Sequence, residues 1–176
     1  MTGLATDLTA LVRDVPDWPK PGVTFKDITP LLGDAAAFAG TVDALAGHYA
    51  AVDVDIVLGI EARGFIFAAP VAYRLGAGFV PVRKAGKLPW HIEAQHYDLE
   101  YGTDLLEIHR DAVVEGQRVL IIDDVLATGG TAAATAALVE RLGATVVGLG
   151  FLIELGFLSG RDKLAGRPVS SLVSYA

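Results

Sequence analysis

The sequence contains no cysteine, a single methionine and no excess of basic residues. The absence of cysteine excludes disulfide bonds, thiolate metal sites and thiol catalysis. Lysine and arginine number 14 against 21 aspartates and glutamates, and the net charge of −7 argues against a surface for nucleic acid. No apolar run approaches the roughly 18 residues of a membrane span, and no signal peptide is visible. These absences predict a soluble, cytoplasmic protein that binds neither nucleic acid nor a membrane.

The composition is that of a folded globular chain. Hydrophobic residues make up 52% of the 176 residues and charged ones 20%, and this length suits one domain with a substantial core. The basic residues are not spread evenly, since Arg83, Lys84 and Lys87 lie within five positions. A local cluster of positive charge in an acidic chain favours the binding of a compact anion over a polyanionic strand.

Apolar runs typical of buried strands alternate along the chain with segments typical of helices. Strands are predicted over residues 55–60, 78–82, 119–122 and 145–153, with an edge strand in the tail through Tyr175. Helices are predicted from the cap Asp34 through Tyr49, from after Phe65 through about Leu75, and over residues 131–142. This alternation predicts an α/β protein of one domain, residues 1–176, with a doubly wound, mainly parallel sheet flanked by helices.

The chain is organised around residues 119–131. Val119–Ile122 is an unbroken apolar run that predicts a strand buried on both faces, and Asp123 and Asp124 follow at its end. The small-residue loop Ala127–Thr131 then leads into an Ala-rich helix, whose N-terminal N–H groups and positive dipole end suit a phosphate. Adjacent carboxylates suit sugar hydroxyls or a metal. The stretch therefore predicts a ligand with a phosphorylated end and a polyol middle, such as a ribose 5-phosphate.

Two different roles would also fit an apolar strand that ends in two aspartates. P-loop nucleotidases contain such a strand, but the G-x-x-x-x-G-K-[ST] motif they require is absent, since Gly86–Lys87 is followed by Leu88. A strand, turn and helix of purely structural role would also produce two carboxylates followed by glycines. The full string of residues 119–131 is a far more specific signal than two carboxylates followed by glycines.

Two further segments invite a functional interpretation. A second strand–loop–helix junction is centred on Arg63, although an arginine paired with a surface carboxylate is the commoner arrangement. Residues 85–98 lack periodicity and predict a long loop, of the kind that often closes over an active site. Within that loop His91, Glu93 and His96 suggest a metal site, but their spacing is not helical and no cysteine assists. A metal site there is therefore the weaker interpretation.

The string Val119–Thr131 resembles, position for position, the phosphoribosyl diphosphate (PRPP) binding motif of type I phosphoribosyltransferases. Four further stretches resemble the adenine phosphoribosyltransferases within that family, so that the resemblance covers nearly the whole chain. These stretches are Pro21–Leu32, Glu61–Phe65, Val80–Lys84 and Leu99–Thr103. The resemblance implies the type I phosphoribosyltransferase fold, with a small N-terminal hood of about residues 1–34 and a mobile lid of about residues 85–98.

The resemblance also implies roles for particular residues. The ribose and 5′-phosphate of PRPP are expected at Asp123, Asp124, Ala127, Thr128, Gly129, Gly130 and Thr131. The pyrophosphate is expected at Arg63, Arg83, Lys84 and Lys87, and adenine at Val23, Phe25, Lys26 and Leu155. Glu100 resembles the acid/base candidate of the family, and Arg63 is the second expected catalytic residue. The tail after Leu155 fits the family pattern least.

The implied reaction converts adenine and PRPP to AMP and diphosphate in purine salvage. Mg²⁺ is expected to arrive with PRPP and to bridge its pyrophosphate and ribose hydroxyls, so no protein ligand to the metal is predicted. The family also implies a homodimer. Two alternatives remain, a phosphoribosyltransferase for hypoxanthine, guanine or xanthine and a PRPP- or nucleotide-sensing regulator of the same fold. The lack of a basic face and the presence of Arg63, Glu100 and the lid disfavour the regulator.

Overall fold

The computed structural model describes residues 7–98 and 103–176. Its strands are β1 Arg13–Val15, β2 Phe25–Asp27, β3 Ile56–Ile60, β4 Gly78–Lys84, β5 Ile92–Asp98, β6 Thr103–His109, β7 Arg118–Leu126, β8 Thr145–Leu155 and β9 Val169–Tyr175. Its helices are α1 Thr29–Gly33, α2 Ala35–His48, α3 Gly64–Leu75 and α4 Gly130–Arg141, with 3₁₀ turns at Leu8–Leu11, Gly156–Leu158 and Gly160–Leu164. No helix within the described residues is long and apolar enough to cross a membrane.

The chain divides into two compact units, residues 1–44 and 45–176. In the first unit β1 and β2 pair antiparallel and form a small sheet of two strands. Asp34 accepts a hydrogen bond from the backbone N–H of Ala37 at 2.9 Å, so it caps α2 as its place in the sequence predicts. The predicted arrangement of one domain with a hood of about residues 1–34 stays a prediction.

The second unit contains a sheet of seven strands in the order β5-β6-β4-β3-β7-β8-β9. The strands from β4 to β9 in this order run parallel to their neighbours, whereas β6 is antiparallel to both β4 and β5. Helix α3 packs on β3 and β7, and α4 packs on β5, β7 and β8. The predicted doubly wound, mainly parallel sheet is therefore confirmed, and β9 is the expected edge strand.

The central strands of the second unit are continuous apolar runs because they lie within its core. Leu58 and Ile60 of β3 are buried, as is the whole run Val119–Ile122 of β7. Both faces of these strands are covered, so their side chains show no alternation of apolar and polar residues. Each such side chain contributes roughly 1.5–3 kcal/mol on burial. Packing of this kind fixes the carboxyl ends of β3, β4 and β7 at one edge of the sheet.

The prediction of an irregular loop over residues 85–98 is wrong for its second half. Strand β5 pairs with β6 along its whole length. The sequence shows no strand pattern here because the side chains of Glu93 and Gln95 contact the guanidinium of Arg141 on α4 and not an apolar core. A strand that meets a charged partner need not show the alternation of apolar residues that identifies strands. The irregular segment is therefore limited to residues 85–91.

Hydrogen bonds from Arg118 join the start of β7 to Asp55, the residue that precedes β3. Its backbone N–H and Nε donate to Asp55 Oδ2 at 2.8 and 3.1 Å, and its Nη2 donates to Oδ1 at 2.9 Å. These hydrogen bonds lower the pKa of Asp55 from 3.8 to about 2. A carboxyl whose pKa is lower in the folded state stabilises the fold when it is charged. Its contribution is therefore complete above about pH 4 and is lost as the pH falls through about 2.

We expect Asp55→Asn to lower the melting temperature near neutral pH and to have a steadily smaller effect toward about pH 2. Asp53→Asn is the matched control, because Asp53 Oδ2 also lies 2.7 Å from Arg118 but its side chain is 85% exposed. Exposed ion pairs contribute little, so the control should melt close to wild type. Thermal unfolding followed by circular dichroism over this pH range measures both variants. An effect of Asp55→Asn that does not change with pH would contradict the assignment.

Candidate active site

The two carboxylates of the central motif lie near the carboxyl end of β7, where parallel sheets bind their ligands. Asp123 is half-buried and Asp124 is buried. The backbone N–H of Asp124 donates to Asp123 Oδ1 at 2.9 Å. Burial raises the pKa of both carboxyls, and the charge of Asp124 adds to the rise at Asp123. Two neighbouring acids with raised pKa values are costly to the fold and indicate a functional site.

The loop between β3 and α3 brings a cation to this acid pair. Arg63 Nε lies 2.7 Å from Asp124 Oδ2, and its charge offsets part of the rise in the pKa of Asp124. That oxygen accepts no hydrogen bond from the described residues, so the contact is an ion pair. The next residue is Gly64, where a Cβ would lie 2.7 Å from Asp123 Oδ1. Glycine is therefore needed for the first turn of α3 to approach the acid pair so closely.

The loop after β7 forms a small pocket at the N-terminus of α4. Gly129, which precedes the helix, has a left-handed backbone with φ of 76°. The first N–H groups of a helix have no partner within it and are available to a ligand. The pocket has a volume of about 70 Å³, which is room for one phosphate group, since a single water needs roughly 10–15 Å³. It is lined by Asp123, Val125, Leu126, Ala127, Thr128, Gly129, Gly130, Thr131 and Ala132.

The predicted cations of β4 and the following loop surround Glu61, at the end of β3. Glu61 accepts hydrogen bonds from Arg83 Nε at 3.2 Å, from the backbone N–H of Lys84 at 3.0 Å and from Lys87 Nζ. The ammonium of Lys84 lies instead 3.4 Å from Asp104 Oδ2. Burial by itself would raise the pKa of Glu61, but these hydrogen bonds outweigh it and lower the pKa to about 2. Glu61 is therefore charged at any physiological pH.

Known proteins are similar to this chain in sequence and in fold. Residues 33–171 match the family described as the Phosphoribosyl transferase domain. The adenine phosphoribosyltransferase of Solibacter usitatus is 61% identical over 169 residues, which cover 96% of this chain and 98% of that protein. The solved adenine phosphoribosyltransferase of Thermoanaerobacter pseudethanolicus is 55% identical and has a TM-score of 0.93, with 96% of this chain and 98% of that chain covered. The chain belongs to the adenine phosphoribosyltransferase family.

A further solved member of this adenine phosphoribosyltransferase family was determined with ligands. It is the Saccharomyces cerevisiae enzyme complexed with D-2,5-dideoxy-2,5-imino-altritol 1,6-bisphosphate and adenine. It is 41% identical to this chain, with a TM-score of 0.91 and coverage of 98% of this chain and 99% of that chain. The family, the fold and the pentosyltransferase class predicted from the sequence are confirmed.

Membership of the adenine phosphoribosyltransferases does not by itself test the roles of single residues. Three of the four predicted adenine residues lie in the first unit, namely Val23, Phe25 and Lys26. The ring of Phe25 meets Trp18 edge to face with centroids 4.4 Å apart, and Lys26 Nζ lies 2.6 Å from Asp14 Oδ1. The fourth, Leu155, is the last residue of β8 and is half-buried. Contact with adenine stays a prediction for all four.

Two candidate site residues were not predicted from the sequence, and a predicted one lies outside the described residues. Glu100, the predicted acid/base residue, lies outside the described residues. Glu61 was not predicted to organise the cations, although its place two residues before Arg63 was a signal. Gly160 gave no signal at all, yet a Cβ there would overlap the carbonyl oxygen of Ala127 and lie 2.8 Å from Gly129 N. The loop Ala127–Thr131, which is predicted to bind the 5′-phosphate, is therefore supported by a segment distant in sequence.

Proposed function

We propose that the chain converts adenine and PRPP to AMP and diphosphate in the cytoplasm, as a step of purine salvage. The observation that carries this proposal is the ion pair between Arg63 and Asp124, which joins the loop after β3 to the acid pair and phosphate pocket after β7. A phosphate pocket, two carboxylates and a cation cluster are the partners that the three parts of PRPP require. The adenine in the yeast complex supports the choice of base.

The part of the site after β7 binds the sugar phosphate. Asp123 and Asp124 accept hydrogen bonds from the ribose hydroxyls, and charge-assisted hydrogen bonds of this kind are the stronger ones. The loop Ala127–Thr131 surrounds the 5′-phosphate with backbone N–H groups at the start of α4. Thr128 and Thr131 add hydroxyl donors. These contacts hold the anomeric carbon in one place while the bond to pyrophosphate breaks.

The cations act on the leaving group. As the C1′–O bond breaks, its electron pair leaves with pyrophosphate, and the ribose acquires oxocarbenium character. Arg63, Arg83, Lys84 and Lys87 bind the pyrophosphate, whose charge grows in the transition state. Adenine then forms the C1′–N bond and loses a proton from its imidazole ring. Glu100 takes the acid/base role, and closure of the segment after Lys84 excludes water.

Mg²⁺ fits this site as an ion that the substrate carries. The described residues contain no group of three or more His, Asp or Glu side chains that would hold a metal. Mg²⁺ typically uses one or two carboxylates together with substrate phosphates and waters. Asp123 and Asp124 are the carboxylates that would lie beside it. The bound ion would neutralise charge on the leaving pyrophosphate.

We expect adenine to be preferred to hypoxanthine by roughly 10²-fold or more in kcat/KM. Adenine donates from its C6 amino group and accepts at N1, whereas hypoxanthine accepts at C6 and donates at N1. Backbone groups of Val23–Lys26 provide one acceptor and one donor, so hypoxanthine leaves two polar groups unpaired at about 1–3 kcal/mol each. Pyrophosphate release from PRPP with each purine in turn measures the preference. Equal values would favour the enzyme of another base, and PRPP binding without any turnover would favour the regulator.

We also propose a homodimer, which an exposed apolar patch on α3 and β4 supports. Ile66 and Tyr73 lie on one face of α3 with 37% and 86% exposure, and Phe79 of β4 is 38% exposed. Contiguous exposed apolar groups often mark protein interfaces. Sedimentation equilibrium should give the mass of two chains, and Ile66→Glu should shift it toward one chain. A wild-type protein that remains a single chain at micromolar concentration would contradict the homodimer.

A further inference from the structure

The cluster around Glu61 contains a carboxylate that the proposed reaction does not use. The Glu61 side chain is only 9% exposed. Its carboxylate accepts hydrogen bonds from Arg83 Nε at 3.2 Å and Arg83 Nη2 at 3.5 Å. It also accepts from the backbone N–H of Lys84 at 3.0 Å and from Lys87 Nζ. A carboxylate so far removed from water remains charged only because donors of this kind surround it. Glu61 therefore depends on these donors.

The same donors are the ones that pyrophosphate needs. The ammonium of Lys87 and the guanidinium of Arg83 already direct N–H groups at Glu61, and a pyrophosphate oxygen would require those N–H groups. Glu61 and pyrophosphate are both negatively charged, so they repel each other. When pyrophosphate binds, Glu61 must give up or share these N–H donors, and its largely covered side chain has little access to water that could replace them.

We propose that Glu61 is an internal competitor of pyrophosphate, an inference that rests on the proposed function. In the absence of pyrophosphate Glu61 holds Arg83 and Lys87 in the site and balances their charge. When pyrophosphate binds, Glu61 competes for both cations and so weakens the binding. This competition weakens the binding of the pyrophosphate product as well as the binding of PRPP. Glu61 therefore keeps the affinity for released pyrophosphate low and prevents the product from occupying Arg83 and Lys87.

The neighbouring carboxylate of Glu107 provides a matched control. Glu107 is also buried, with 7% exposure, and lies opposite Arg83 in the pairing of β4 with β6. Its Oε2 accepts a hydrogen bond at 3.0 Å from the backbone N–H of Gly86, not from a cation. Glu107→Gln therefore removes the same charge from the same region without freeing a side chain that pyrophosphate would bind.

The test is calorimetric titration of pyrophosphate, with and without Mg²⁺, into wild type, Glu61→Gln and Glu107→Gln. Glu61→Gln should bind pyrophosphate about tenfold more tightly than wild type, because a like charge beside the ligand is removed. Glu107→Gln should change the affinity by less than about twofold, since its Oε2 accepts from a backbone N–H and not from a cation that pyrophosphate would bind. Inhibition of AMP formation by added pyrophosphate should strengthen in the same order. In a Lys87→Met background the gain from Glu61→Gln should shrink, because one of the contested cations is gone.

The outcomes separate the inference from the function on which it rests. A folded Glu61→Gln variant that binds pyrophosphate as weakly as wild type, or more weakly, overturns the inference and leaves Glu61 a positioning residue. If Glu61→Gln does not fold, Glu61→Asp retracts the carboxylate from Lys87 by one methylene, and it too should bind pyrophosphate more tightly. Failure of the proposed function would be seen in the wild type instead, as no turnover of PRPP with adenine.

Discussion

Replacing Asp123 and Asp124 together by asparagine should lower kcat/KM for PRPP by roughly 10²- to 10⁴-fold while leaving the fold intact. Each carboxylate is expected to accept a charge-assisted hydrogen bond from a ribose hydroxyl, and such a bond contributes about 1.5–3 kcal/mol. Two of them give about 3–6 kcal/mol, and each 1.4 kcal/mol is a factor of about ten in rate. Steady-state kinetics with PRPP as the varied substrate measures the loss. Asp111→Asn, at an exposed aspartate outside the site, is the control.

The stability of this double variant distinguishes a functional role from a structural one. Burial raises the pKa of both carboxyls. A carboxyl with a higher pKa in the folded state destabilises the fold once the pH exceeds its unfolded pKa of about 3.9, and the cost is absent below that pH. Asparagine carries no charge, so near neutral pH the variant should unfold in urea at a concentration equal to or above that of wild type. Wild-type turnover would show that the pair does not bind the sugar, and a loss of folding would show a structural role.

The central motif could be predicted because its determinants are local. The apolar strand, the acid pair and the phosphate loop all lie within residues 119–131, and their order alone places the acids and the loop at a carboxyl edge. The start of α4 at Gly130 follows from the small residues of that loop. A sequence of this kind specifies its own geometry once the strand is known to be buried.

The contacts between segments could not be predicted in the same way. Arg63 reaches Asp124 only because β3 and β7 are neighbours in the sheet, which no local pattern shows. Strand β5 escaped prediction because its polar side chains meet Arg141 on α4. The sequence presents Glu61 as part of a motif, whereas the structure makes it the partner of the cations of β4 and the following loop. In each case the deciding interaction joins residues that are distant in sequence and carry opposite charge.

The segment after β8 contains a distant contact from which we expect a functional consequence. A Cβ at Gly160 would overlap the carbonyl oxygen of Ala127 and lie 2.8 Å from Gly129 N. A Cβ at Gly129 would in turn overlap the carbonyl oxygen of Gly160, and Gly129 also has a φ of 76° that side chains disfavour. The two backbones therefore meet with no room for a side chain, directly behind the pocket proposed to bind the 5′-phosphate.

We expect Gly160→Ala to lower kcat/KM for PRPP by about 10²-fold, because the added Cβ must displace the phosphate loop and a shift of about 1 Å in a binding group costs that much. Gly156→Ala is the matched control in the same connection, since its Cβ would come no nearer than 3.2 Å to any neighbouring heavy atom, the carbonyl oxygen of Tyr175. Kinetics with PRPP varied, combined with melting temperatures, separates loop displacement from general unfolding. A folded Gly160→Ala variant with the wild-type KM for PRPP would show that the loop holds its shape without this contact.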